Sequence, residues 1–112
     1  MSNKSKQPPP LGEFEVLVLT AVLAAGTNAY GATVQEEIEQ IVSGKREISL
    51  GAVYTTLDRL EQKGYVKSWT GEPTPERGGR AKRYFEVQGS GQRALRAALE
   101  PMQKACGIVG VL

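Results

Sequence analysis

Apolar residues recur along this chain with two different periods, and the change of period divides it. From Leu11 to Ala25 the period is helical. Leu11, Phe14, Leu17 and Val18 share one face, and Ala21 and Val22 continue it, the spacing that makes one side of an α-helix apolar. Leu19 and Leu23 widen this stripe, which predicts a helix covered on two sides. Glu13 and Glu15 fall in its first turn, where the helix dipole favours acids. Gly26, Thr27 and Asn28 end it. A second helix is predicted within Ala29 to Gly44, with Val34, Ile38, Ile41 and Val42 as its apolar face. Thr33 and Glu36 have the spacing of a capping box. Gly31 is expected to supply backbone freedom, and Tyr30 to serve as a core or backbone anchor. The third helix is the best defined. Ser49 is a good N-cap, Leu50, Val53, Leu57 and Leu60 form one stripe, and Gly64 after Lys63 stops it.

The period then falls to two. Val66, Ser68 and Thr70 alternate with Tyr65, Lys67 and Trp69; Arg83, Phe85 and Val87 alternate with Lys82, Tyr84 and Glu86. Two such runs around a Gly- and Pro-rich segment predict a β-hairpin with a long tip. A last helix is predicted from a Ser90 cap, with Leu95, Leu99 and Met102 as its apolar face. Pro101 should kink or interrupt it. Residues 1–10, polar and Pro-rich, read as a disordered arm. The order is therefore three helices, a hairpin and a helix, a mainly α chain with a small antiparallel hairpin. That order is the winged helix-turn-helix arrangement, with the third helix in the recognition position. Residues 11–88 would form the DNA-binding domain and residues 89–112 a C-terminal helix and tail.

Composition removes several classes of function. The 112 residues suit one domain. Fourteen basic and 12 acidic residues leave a net charge of only +2, so the placement of charge matters more than its sum. With no histidine, the commonest general base and metal ligand is missing, and no metal or other cofactor is expected. One cysteine, Cys106, allows no intrachain disulfide; burial or dimer packing is its expected role. Lys4 and Lys6 before the apolar run of residues 16–26 resemble a secretory signal. Three prolines, Glu13 and Glu15 intervene, however, and the run is too short to span a bilayer. The expected location is the cytoplasm, with no membrane contact.

The uneven charge lies at the hairpin tip. "PERGGRAKRYFEV" carries Arg77, Arg80, Lys82 and Arg83 with no acid among them. "RGGR" lacks the strand-to-helix context and the Lys-Ser/Thr ending of a phosphate-binding loop, so an enzyme is not expected. A basic run is ordinarily a solvated cluster, but beside a recognition helix it suits phosphate or minor-groove contact. Arg83 has the alternative of pairing with Glu72 or Glu86. On the third helix, Gly51, Tyr54, Thr55 and Asp58 line one side of the polar face, and Ala52, Thr56, Arg59 and Lys63 the other. Its first turn, Ser49, Gly51 and Ala52, is nearly free of bulk, so backbone N–H groups could approach a phosphate. An adaptor that binds protein through the same surface is the competing class; it would not need cations on the tip.

The stretches "LGEFEVLVLTAVL", "AYG", "SLGAVYTTLDRLEQKGYV" and "GEPTPERGGRAKRYFEV", in this order and spacing, resemble the PadR family of transcriptional regulators from about Leu11 to Leu99. The resemblance implies a homodimer that binds inverted-repeat operators in double-stranded DNA, usually as a repressor. It implies that Ser49, Gly51, Tyr54, Thr55 and Arg59 lie at the DNA, and that Arg77, Gly78, Gly79, Arg80 and Lys82 form the wing. It implies dimer contacts between the C-terminal helix and the partner's first helix, here Phe14, Leu17, Leu95, Leu99 and Met102. A small aromatic or hydrophobic effector is compatible with it. Trp69, the only tryptophan, is expected to pack at the edge of the core. The region beyond Leu99 is shorter than in many family members, which counts against a ligand pocket between long C-terminal helices.

Overall fold

The computed structural model describes residues 10–72 and 81–110. Its elements are α1 (Glu13–Ala25), α2 (Gly31–Ile41), α3 (Leu50–Gln62), β1 (Val66–Thr70), β2 (Arg83–Val87) and α4 (Gly89–Val109), with one 3₁₀ turn at Gly26–Asn28. Three helices pack on one another, and the antiparallel β1–β2 hairpin closes the open side of their core. The register pairs Val66 with Val87, Ser68 with Phe85 and Thr70 with Arg83. This puts Val66, Phe85 and Val87 inward, all buried, as the alternation predicts. Phe85 is the largest fully buried side chain, and removing it from water contributes about 1.5–3 kcal/mol.

The core runs through Val18, Leu19 and Val22 of α1, Val34 and Ile38 of α2, and Val53, Leu57 and Leu60 of α3. It differs from the sequence pattern at helix ends. Leu23, Ile41 and Leu50 carry the right period yet are exposed, each in the first or last turn of its helix. Periodicity reports the side of a helix, not how far its neighbour extends. Thr56, expected on the polar face of α3, is buried.

The starts of α1 and α2 also differ. Helix α1 begins at Glu13, not Leu11, and the N–H of Gly12 before it donates to Glu15 Oε1 at 2.9 Å. Helix α2 begins at Gly31, two residues before Thr33. Thr33 therefore reaches back rather than forward, and its hydroxyl accepts from the Tyr30 N–H at 3.0 Å. The Thr33–Glu36 box is not the start of the helix. Gly31 has a different reason from backbone freedom. A Cβ there would lie 2.3 Å from Tyr54 Oη and 2.4 Å from Tyr54 Cζ, so the bare Cα admits the Tyr54 ring between α2 and α3.

Helix α4 begins at Gly89, and Ser90 does not cap it. The Ser90 hydroxyl donates instead to the Gly64 carbonyl at 2.8 Å, and the Gln88 N–H donates to the Tyr65 carbonyl at 2.8 Å. The two bonds seat the start of α4 on the turn that enters β1. Pro101 does not interrupt the helix, which continues to Val109. The carbonyl that proline leaves unbonded belongs to Ala97, which is exposed, so water can solvate it. Among the described residues, no helix is long and apolar enough to cross a membrane.

Candidate nucleic-acid interface

The loop between α2 and α3 sets where α3 begins. Gln35 Nε2 donates to the Ile48 carbonyl at 2.7 Å, which fixes the residue before the helix. Ser49 is then the N-cap, as expected, with its Oγ accepting from the Ala52 N–H at 3.0 Å. Gly51, Ala52, Thr55, Asp58 and Arg59 are exposed. Nothing lies within 4 Å of a Cβ built on Gly51, so the first turn of α3 is open on its outer side. Helix α3 thus offers solvent a small-residue start followed by Thr55, Asp58 and Arg59.

Tyr54 is half-buried. Its ring sits against Gly31, so part of its surface braces α2 on α3 and is not free for DNA. Lys63, expected on the polar face of α3, turns toward α1, and its Nζ lies 2.8 Å from Glu15 Oε2. Burial raises the Glu15 pKa, but the Lys63 ammonium and the Gly12 N–H outweigh it, and the carboxyl lies below its ordinary 4.5. The pair ties the start of α1 to the end of α3.

The hairpin reaches α3 through Arg83. Arg83 does not pair with Glu72 or Glu86; it pairs with Asp58 at 3.0 Å and with Glu61. Burial works against its charged form, but the bonds to Asp58 and Glu61 more than offset this and raise its pKa. Glu86 instead faces Lys67 at 3.5 Å across the strands. Sequence reasoning missed the Arg83 anchor. Its only signal was two acids three positions apart on α3, and their partner lies more than 20 residues away.

Lys82 is exposed beside the segment 73–80. Its ammonium lies 4.5 Å from the centre of the Tyr30 ring, a cation–π contact worth about 0.5–1 kcal/mol. Tyr30 meets Tyr84 edge-on at 5.7 Å, and the Phe85 N–H donates to the Ala29 carbonyl at 2.9 Å. The residues before α2 thereby dock on β2, and Tyr30 is an anchor as expected. Arg77, Gly78, Gly79 and Arg80 lie outside the described residues.

Trp69 is 45% exposed and stacks on Tyr84 at 6.2 Å. It lines an open, largely apolar groove of about 530 Å³ with Val22, Leu23, Phe85 and Val87. Of the residues expected at a dimer contact, Leu95 is buried in the core of its own chain, and Phe14, Leu17 and Leu99 pack partly against that core. Met102 is exposed. Cys106 is also exposed and is not buried within its own chain.

Comparison with solved structures finds the same fold in other proteins. A transcriptional regulator from Clostridium thermocellum superposes with a TM-score of 0.70 at 20% identity, covering 100% of this chain and 96% of that one. A PadR family transcription regulator from Clostridium difficile gives 0.61 at 21% identity, covering 88% and 98%. The Escherichia coli regulator MarR, in a mutant complexed with operator DNA, gives 0.54 at 21% identity, covering 80% and 54%. Comparison with curated proteins gives no match. The family model described as "Transcriptional regulator PadR-like family" matches residues 18–97, a span that takes in the helices, the hairpin and the first part of α4. With three helices, a hairpin tied to the third and that match over most of its length, the chain belongs to the PadR-like family and is a DNA-binding transcriptional regulator built on a winged helix, not an enzyme.

Proposed function

We propose that this regulator is a repressor that binds an inverted-repeat operator as a homodimer. One observation carries the choice of surface. Asp58, on the exposed stripe of α3, bonds Arg83, the first residue of β2. The described end of the hairpin therefore lies beside the exposed face of α3, and we assign to one surface a helix for the major groove and a basic wing for the backbone. Ser49, Gly51, Thr55 and Arg59 are assigned to the helix side of that surface, with Tyr54 bracing it. Arg77, Gly78, Gly79, Arg80 and Lys82 are assigned to the wing, which supplies affinity and register while α3 supplies most of the sequence choice.

The second half of α4 supports the dimer. It projects from the fold with Met102, Ile108 and Val109 exposed, and an apolar helix face of this kind ordinarily finds a partner. Because Leu95 is occupied in its own core, we assign the contact to Leu99, Met102 and Val109, met by the partner's Phe14 and Leu17. A two-fold dimer reads a two-fold operator. The groove beside Trp69 is our candidate seat for a small aromatic or hydrophobic effector, and the fluorescence of the single tryptophan would report its binding.

The test is anisotropy with a labelled duplex from the region upstream of the protein's own gene. The expected result is saturable binding that Arg77→Glu with Arg80→Glu weakens severely. Binding unchanged by these reversals would favour a protein-binding adaptor. Repression is read separately: deletion should raise output from a reporter driven by that region, and a fall would mark an activator.

A further inference from the structure

We propose that Arg83 is a positioning residue for DNA binding: it clamps the hairpin to α3 and neutralises the acids that α3 carries beside its exposed face. The inference rests on the reading that α3 and the wing meet DNA together. All three nitrogens of the guanidinium are engaged. Nη1 donates to Asp58 Oδ1 at 3.0 Å, Nη2 donates to Glu61 Oε1, and Nε donates to Ser68 Oγ at 3.2 Å. Ser68 Oγ donates onward to Glu61 Oε2 at 2.8 Å, and the Phe85 ring centre lies 4.8 Å from the guanidinium carbon. One side chain thus joins β2, β1 and α3.

Two consequences follow. First, Arg83 is not a free cation of the wing, although the sequence groups it with Arg77, Arg80 and Lys82; its donors already have carboxylate and hydroxyl partners. Second, it resolves an electrostatic conflict. Asp58 shares the exposed stripe of α3 with Gly51 and Thr55. An unpaired acid there would oppose the phosphates of a bound duplex. Asp58, Glu61 and Arg83 together carry one net negative charge, and without Arg83 they carry two. The task needs arginine rather than lysine, because a planar fork can satisfy two acids and a hydroxyl at once.

Arg83→Gln, Arg83→Lys and the triple variant Arg83→Gln with Asp58→Asn and Glu61→Gln are titrated with the upstream duplex at several salt concentrations, after circular dichroism shows each to be folded. Residues coupled in one network exchange enough energy for Arg83→Gln to weaken binding roughly tenfold. Arg83→Lys should fall between. Neutralising both acids should return the electrostatic part of the loss, with the salt slope of the wild type, and leave the part that the lost clamp causes. A loss that persists in the triple variant, with a slope smaller by about 0.9, would make Arg83 a direct phosphate ligand and overturn the proposal, as would an Arg83→Gln variant of full affinity. Hydrogen exchange without DNA tests the clamp alone: amides of residues 66–70 and 83–87 should exchange faster in Arg83→Gln, and unchanged rates would refute it. If the wild type ignores the duplex, the operator reading falls and the exchange measurement alone decides the clamp.

Discussion

Gly91→Ala should destabilise the fold even though it improves helix propensity. Gly91 lies in the first turn of α4, where a Cβ would stand 2.3 Å from the Tyr65 carbonyl oxygen and 3.0 Å from Val87 Cγ1. The first distance is roughly 1 Å inside van der Waals contact. The obstacle is backbone, and it is held at both ends of its residue: Tyr65 N–H donates to the Leu60 carbonyl at 2.9 Å, and the Tyr65 carbonyl accepts from Gln88 N–H. The helix must therefore back away, drawing Leu95 partly out of the core. Overpacking of this kind costs about 1–3 kcal/mol. A weakened hydrogen bond adds about 1 kcal/mol, and the propensity gain of alanine over glycine returns about 1 kcal/mol. The net loss of about 1–3 kcal/mol corresponds to a fall in Tm on the order of 10 °C for a chain of this size. Thermal melting by circular dichroism reads it directly. Gly89→Ala is the control, since its Cβ meets only Arg93 Nη1 at an ordinary 3.5 Å and it has the same propensity gain. If Gly91→Ala melts at or above the wild-type temperature, the seating of α4 on the Tyr65 carbonyl is wrong.

Gly51→Ala should do the reverse. With open space around its Cβ it should gain up to about 1 kcal/mol of stability while weakening duplex binding, because a methyl group keeps the start of α3 off the DNA; melting and anisotropy on the same variant separate the two effects. Glu15→Gln should cost about 1–3 kcal/mol at neutral pH by removing the charge-assisted bond to Lys63. Since Glu15 titrates below its ordinary 4.5 when folded, its contribution is complete above that value and fades as pH falls through the lower folded pKa. Denaturant midpoints of wild type and variant should therefore converge in acid, and a gap that persists would assign the cost to packing. Met102→Glu with Val109→Glu should leave the circular dichroism spectrum unchanged, because both positions are exposed. The same pair should reduce the mass seen by light scattering to the 12.1 kDa monomer; an undiminished dimer would place the interface elsewhere.

Local signals were legible wherever one stretch of chain determines the outcome. The Ser49 cap, the inward set Val66, Phe85 and Val87, and the family resemblance all came from neighbouring residues. What escaped depends on distant partners. Leu23, Ile41 and Leu50 keep the helical period but lie exposed in the end turns of their helices. Gly31 looked like a residue of backbone freedom, whereas its smallness admits Tyr54, and nothing in the sequence marked Gly91, whose smallness admits the Tyr65 carbonyl. Pro101 read as a break because the pattern could not show that this part of α4 lies in water. Within the candidate site, α3 was legible, but Arg83 read as part of the basic run or as a partner of Glu72 or Glu86, and Lys63 as part of the polar face, until their acids on other elements came into view.

The central claim is that α3 and a basic wing grip DNA together. It is tested most directly by the salt dependence of duplex affinity, for the wild type and for Arg77→Glu with Arg80→Glu. The account predicts a steep linear fall of log K with log salt. The reversals should reduce that slope by roughly 0.9 for each phosphate that the protein no longer neutralises. An affinity that does not change with salt, or a slope that the reversals leave intact, would contradict it.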